Sequence, residues 1–96
     1  MGIRELLHEK REEILALAAR YGARNVRVFG SVARGTATAE SDIDFLVTFD
    51  PSSSLMDHAA LLAALEELLK RKVDVAPDDC LRPRVRARVL QEAVAL

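Results

Sequence analysis

Residues 29–49 read FGSVARGTATAESDIDFLVTF, and the fold turns on how this run divides. Its first residue closes a short β-branched segment, Asn25–Phe29, that reads as a strand. Gly30-Ser31 follows, then a small-residue polar stretch from Gly35 to Ser41. Asp42–Phe49 reads as a second strand, with Ile43, Phe45, Leu46 and Val47 as its core. Asp42 and Asp44 flank Ile43, and side chains at i and i+2 of a strand share one face. Ile43 therefore turns to the core while both carboxylates share a surface. Two unshielded carboxylates that close repel each other and raise each other's pKa. A divalent cation removes that cost, and Mg²⁺ favours one or two carboxylates completed by phosphate oxygens and water.

Lys72–Ala76 reads as a third strand, in which Asp74 sits between Val73 and Val75. If this strand lies beside the second, Asp74 joins the face that carries Asp42 and Asp44. Three convergent carboxylates suit a site with two ions, which hold the attacking and the leaving oxygens of an in-line displacement. Gly30 permits close backbone approach, and N–H groups at the start of a following short helix can receive phosphate. The Ser31 hydroxyl adds a donor, and Arg34, one helical turn on, is a candidate phosphate contact. Taken singly, a Gly-Ser pair is an ordinary turn, an Asp-x-Asp a solvated pair, Asp74 an edge-strand solubility residue and Arg34 a surface cation. The long-range spacing of all of them together is what points to chemistry.

Working outward, residues 3–20 have the periodicity of an amphipathic helix, with Ile3, Leu6, Leu7, Ile14, Leu17 and Ala18 on one face. Tyr21-Gly22 reads as its stop. After Asp50-Pro51 and three serines, Ser54 and Asp57 resemble a capping box that opens a helix over about 55–71. Pro77-Asp78-Asp79 is expected to break the third strand, and Pro83 suits the first turn of a last helix over 83–93. Val85, Val89, Leu90 and Ala93 are expected to face inward from it. Arg82, Arg84, Arg86 and Arg88 alternate with apolar residues, which is also a strand pattern, but the proline and the LQEAVAL end favour helix. The expected order is helix, strand, short helix, strand, helix, strand, helix. That makes an α+β (α/β two-layer) fold, a small mixed sheet packed with helices, in one domain spanning 1–96.

The chain has 96 residues, half of them hydrophobic and 30% charged, with 14 Lys+Arg against 15 Asp+Glu. A net charge of −1 argues against a general nucleic-acid binder, so no direct nucleic-acid binding is expected. The one cysteine, Cys80, forms no internal disulfide and no structural zinc site. No run approaches the ~18 apolar residues of a membrane span, and the charged start lacks the apolar core of a secretory signal, so a cytoplasmic location is the expectation. His8 and His58 lack a partner at metal-ligand spacing. Tyr21 is expected to pack at the end of the first helix, and the C-terminal arginines read as a solvated helix face, the alternative being a contact with acidic groups of a partner or of RNA.

The run FGSVARGTATAESDIDFLVTF resembles the signature of the DNA polymerase β-type nucleotidyltransferase superfamily. It is most similar there to the minimal nucleotidyltransferases, the antitoxin partners of HEPN-domain toxins. The likeness extends to the leading helix, to LEELLKRKVDVA and to LRPRVRARVLQEAV. The resemblance implies a Mg²⁺-dependent transfer of AMP from ATP to a hydroxyl, with two ions. It implies that Gly30 and Ser31 bind the triphosphate, that Asp42 and Asp44 bind the metals, and that Asp74 is the third carboxylate, as metal ligand or base. It also implies a protein partner, a HEPN ribonuclease toxin silenced by AMPylation of a tyrosine. Two other readings stay open: an antitoxin that acts by contact alone, and a transferase acting on a small molecule or an RNA end.

Overall fold

The computed structural model describes residues 2–38, 41–79 and 82–96. Cys80 lies outside them. The chain opens with α1 (Ile3–Glu9) and α2 (Arg11–Arg20), where the sequence pattern suggests one helix. The two meet at Lys10, whose φ of −96° and ψ of 8° leave the helical region. The hydrogen-bond ladder nonetheless continues: the Lys10 N–H donates to the Leu6 carbonyl at 3.0 Å, and the Lys10 carbonyl accepts from the Ile14 N–H at 2.9 Å. Ile3, Leu7, Ile14 and Ala18 are all buried. The apolar stripe therefore crosses the bend without a break.

The strands are β1 (Ala23–Phe29), β2 (Ile43–Phe49), β3 (Val73–Pro77) and β4 (Val94–Ala95). They form one mixed sheet in the order β3-β2-β1-β4. β1 runs antiparallel to β2 and to β4, while β2 and β3 are parallel. β1 begins two residues before the expected start because Asn25 adopts φ of 51°, and the register shifts between Arg24 and Arg27. A residue in the left-handed region makes a bulge, and Asn tolerates it better than most. β3 keeps Pro77, the expected breaker, paired with Val47. Because β3 is an edge strand, a missing N–H at its end is tolerated.

α4 (Leu55–Leu69) connects β2 to β3. Its start is a capping box: the Asp57 N–H donates to Ser54 Oγ at 3.2 Å and the Ser54 N–H donates to Asp57 Oδ2 at 2.9 Å. His58 meets the Val75 carbonyl through Nε2 at 2.9 Å and packs on the Phe49 ring, tying α4 to β3. Leu61, Leu65 and Leu69 of α4 join Ile43, Phe45 and Val47 of β2 and the buried residues of α1 and α2 in one core. Leu46 is also fully buried but stands outside that cluster, on the β2 face that Asp44 shares. Leu61→Ala is expected to cost about 2–5 kcal/mol, because the side chain is fully buried in mid-helix. Urea unfolding checks this, as a lower midpoint with an unchanged m-value.

The last segment departs most from expectation. α5 (Pro83–Glu92) forms, with Pro83 in its first turn, but it buries no residue. Val85 is 47% and Leu90 39% exposed, so the inward face expected for them does not exist. Val89 and Ala93 are half-buried. Val94–Ala95, just past the expected helix and in no expected strand, pairs with Val28 and Arg27 as β4. The open edge of β1 supplies backbone partners that local propensity cannot foresee. At the far end of β3, Arg27 Nη2 donates to Asp78 Oδ2 at 3.0 Å, and Thr48 Oγ1 donates to the same oxygen at 2.6 Å. This pairing fastens the turn that leads towards α5.

Candidate active site

The site grows from the start of β2. Ile43 is fully buried, and alternation along the strand sends Asp44 to the opposite face, where it is half-buried. Val73 and Val75 are buried in the same way and leave Asp74 exposed. β2 and β3 are parallel and in register, so Asp44 and Asp74 are direct partners across the ladder. Neighbouring strands lie about 4.8 Å apart, which puts the two carboxylates side by side. Asp42 stands exposed just before β2.

The electrostatics record this crowding. The Asp44 carboxyl is pushed above the usual carboxylate range, first by burial, then by the charge of Asp74, then by that of Asp42. Arg34 opposes the shift. Thus Asp42, Asp74 and Arg34 all act on Asp44. The structure does not pre-form the three-carboxylate cage: among the described residues, no three His, Cys, Asp or Glu side chains group so as to hold an ion.

Gly30 brings the backbone against this cluster. It precedes the single turn α3 (Ser31–Arg34) and takes φ of 69° and ψ of −144°. Phe29, just before it, pairs with Asp44 across β1 and β2. A Cβ at position 30 would stand 2.6 Å from Asp44 Oδ2. Only glycine fits both the backbone angle and the space. Ser31, half-buried, starts the turn beside it.

Arg34 is exposed and near enough to act on Asp44, but its Nη1 pairs with Glu92 Oε2 at 3.5 Å. Glu92 also takes Arg88, at 3.6 Å. Sequence reading missed Glu92. The i,i+4 spacing from Arg88 was visible, whereas the link to Arg34 joins residues 58 apart. A groove of about 350 Å³ opens elsewhere, lined by Arg4, His8 and Arg11 with Val28, Val32 and Leu96. It contains none of the three aspartates.

The glycine turn and the paired acidic strands are the features of this surface, and comparison with known proteins supplies the class. The chain belongs to the nucleotidyltransferase domain family, whose model matches residues 10–96. Protein adenylyltransferase MntA of Thermococcus cleftensis is 40% identical over 78 residues, covering 81% of this chain and 79% of that protein. A Methanocaldococcus jannaschii protein, provisionally named a protein adenylyltransferase, is 36% identical over 88 residues, covering 92% of this chain and 95% of that protein. A solved structure provisionally named a minimal nucleotidyltransferase superposes with a TM-score of 0.88 at 52% identity, over 96% of this chain and 94% of the other. A toxin–antitoxin crystal structure with AMP-PNP shares the fold, with a TM-score of 0.75 at 21% identity over 88% and 69% of the two chains. The protein is a nucleotidyltransferase of α+β architecture. No helix among the described residues is long and apolar enough to cross a membrane.

Proposed function

We propose that this chain is a protein adenylyltransferase that moves AMP from ATP to a tyrosine hydroxyl of a HEPN ribonuclease toxin, and so acts as that toxin's antitoxin. The observation that carries the reading is the in-register pairing of Asp44 and Asp74 beside Gly30, whose missing side chain leaves room at Asp44 Oδ2. The names of the Thermococcus and Methanocaldococcus relatives support protein as the acceptor. The AMP-PNP toxin–antitoxin complex, which shares the fold, supports ATP and a toxin partner.

The donor set is all hard carboxylate oxygen, and its mutual repulsion favours a bound cation. Asp42, Asp44 and Asp74 would therefore hold Mg²⁺. When bound, it neutralises charge on the triphosphate and on the departing pyrophosphate. The chain's own residues do the rest. Gly30 and Ser31 bind and orient the triphosphate through the backbone turn and the serine hydroxyl. The acceptor oxygen forms a bond to the α-phosphorus, and the bridging bond to the β-phosphate breaks. The hydroxyl proton passes to the Asp74 carboxylate, the more exposed of the in-register pair. Rate comes from holding the reactants in line.

Incubation with ATP, Mg²⁺ and the product of the neighbouring gene tests the reading. Label on the α-phosphate should appear on the toxin as one adenylyl group on a tyrosine, whereas label on the γ-phosphate should leave with pyrophosphate. A tight complex that never gains label would instead mean neutralisation by contact. Label on an RNA end or a small molecule would mean a different acceptor.

A further inference from the structure

We infer that the arginine-rich surface of α5 is where the protein partner docks, through acidic side chains of that partner. This inference deepens the adenylyltransferase reading and rests on it. α5 buries no residue, and a helix of only ten residues is marginal without tertiary support. Its charges make matters worse. Arg82 at the N-cap, Arg84 and Arg86 crowd the helix N-terminus, whose partial positive charge favours acidic groups, and the first turn has none. All three are exposed, and none makes an ion pair or hydrogen bond through its side chain among the described residues. Residues 82–92 hold four arginines and one glutamate in a chain of net charge −1. Acidic groups from outside supply what this helix lacks.

The surface suits protein better than RNA. Exposed Val85 and Leu90 lie among the arginines, and apolar side chains interleaved with arginine are features of protein interfaces. No aromatic residue between 82 and 92 offers a base a stacking platform. Position favours the reaction as well. α5 ends at Glu92, which holds Arg34, and Arg34 acts on Asp44. A partner seated along α5 has its acceptor beside the acidic pair.

The test is the Kd of the intact chain for its HEPN toxin, measured calorimetrically at low and high salt. Arg84→Glu/Arg86→Glu should weaken the complex at least about tenfold and flatten its salt dependence. Arg84→Gln/Arg86→Gln, which keeps helix propensity and side-chain length, should give a smaller loss in the same direction. The rise in melting temperature caused by Mg²⁺ and ATP should be unchanged in both, because neither residue belongs to the nucleotide site. An unchanged Kd in both variants overturns the docking surface and leaves the toxin reading standing. Absence of any complex with the unaltered chain overturns both. Loss of affinity for an RNA oligonucleotide, with toxin binding intact, marks the helix as an RNA surface and overturns the proposal.

Discussion

Asp44→Asn is expected to cut AMP transfer by about 10³-fold or more and to raise the melting temperature of the nucleotide-free protein. The two effects have one cause. Asp44 is partly buried beside Asp74 and Asp42, so its charged form is disfavoured in the folded chain. A carboxyl whose folded pKa is raised binds its proton more tightly when folded. Stability is therefore lost as pH rises from the unfolded value through the folded one. At neutral pH the wild type carries this penalty, and Asn, uncharged at every pH, removes it. The advantage of the variant should shrink as pH falls towards about 4 and vanish below it, where both side chains are neutral. On the proposed reading, the cluster that destabilises the nucleotide-free protein is the one that binds charge, so removing it forfeits transition-state stabilisation worth several kcal/mol. Melting curves from pH 3 to 8, together with labelled-ATP assays, check both halves. A destabilised variant at pH 7 would mean that Asp44 does not feel its neighbours.

Gly30→Ala is the second large effect. The backbone at φ 69°, ψ −144° disfavours any L side chain, and strain of this kind costs about 1–3 kcal/mol. The new methyl group would also collide with Asp44 Oδ2, at 2.6 Å. Either the carboxylate or the turn must move, and misplacement by about 1 Å can cost about 100-fold in rate. Gly35→Ala separates strain from collision. Gly35 has φ of 76°, but there a Cβ meets only Arg4 Nη2, at 3.5 Å. Gly35→Ala should lower stability less, because φ 76°, ψ 16° is the left-handed region that L residues can enter, and should leave transfer nearly intact. Equal activity losses in the two variants would show that closeness to Asp44 does not matter.

Much of this was legible because single residues decide local structure. The Val73-Asp74-Val75 alternation fixed which way each side chain points, and the Ser54–Asp57 box placed the start of α4. That β3 lies beside β2 was a conditional in the sequence, and the parallel direction and the register that makes Asp44 and Asp74 partners came only with the sheet. Arg34 shows the limit of local reading. As a candidate phosphate contact it looks free, yet Glu92, far along the chain, takes its guanidinium. The chain end failed for a related reason. Val94 and Ala95 have no local signal against helix, and the free edge of β1 pairs with them. The inward face expected of α5 rested on periodicity alone, and periodicity names a face without naming what covers it.

The most direct test uses Mn²⁺, whose unpaired electrons broaden nearby NMR signals, in place of Mg²⁺. Mn²⁺ is titrated with a non-hydrolysable ATP analogue into the ¹⁵N-labelled chain. The amides of Gly30, Ser31, Ile43, Asp44 and Asp74 should fade first, and those of Leu61 and Leu65 in α4 should persist. Broadening centred on any other part of the fold, or none at saturating nucleotide, would contradict the assignment of the acidic strands and the glycine turn as the nucleotide site.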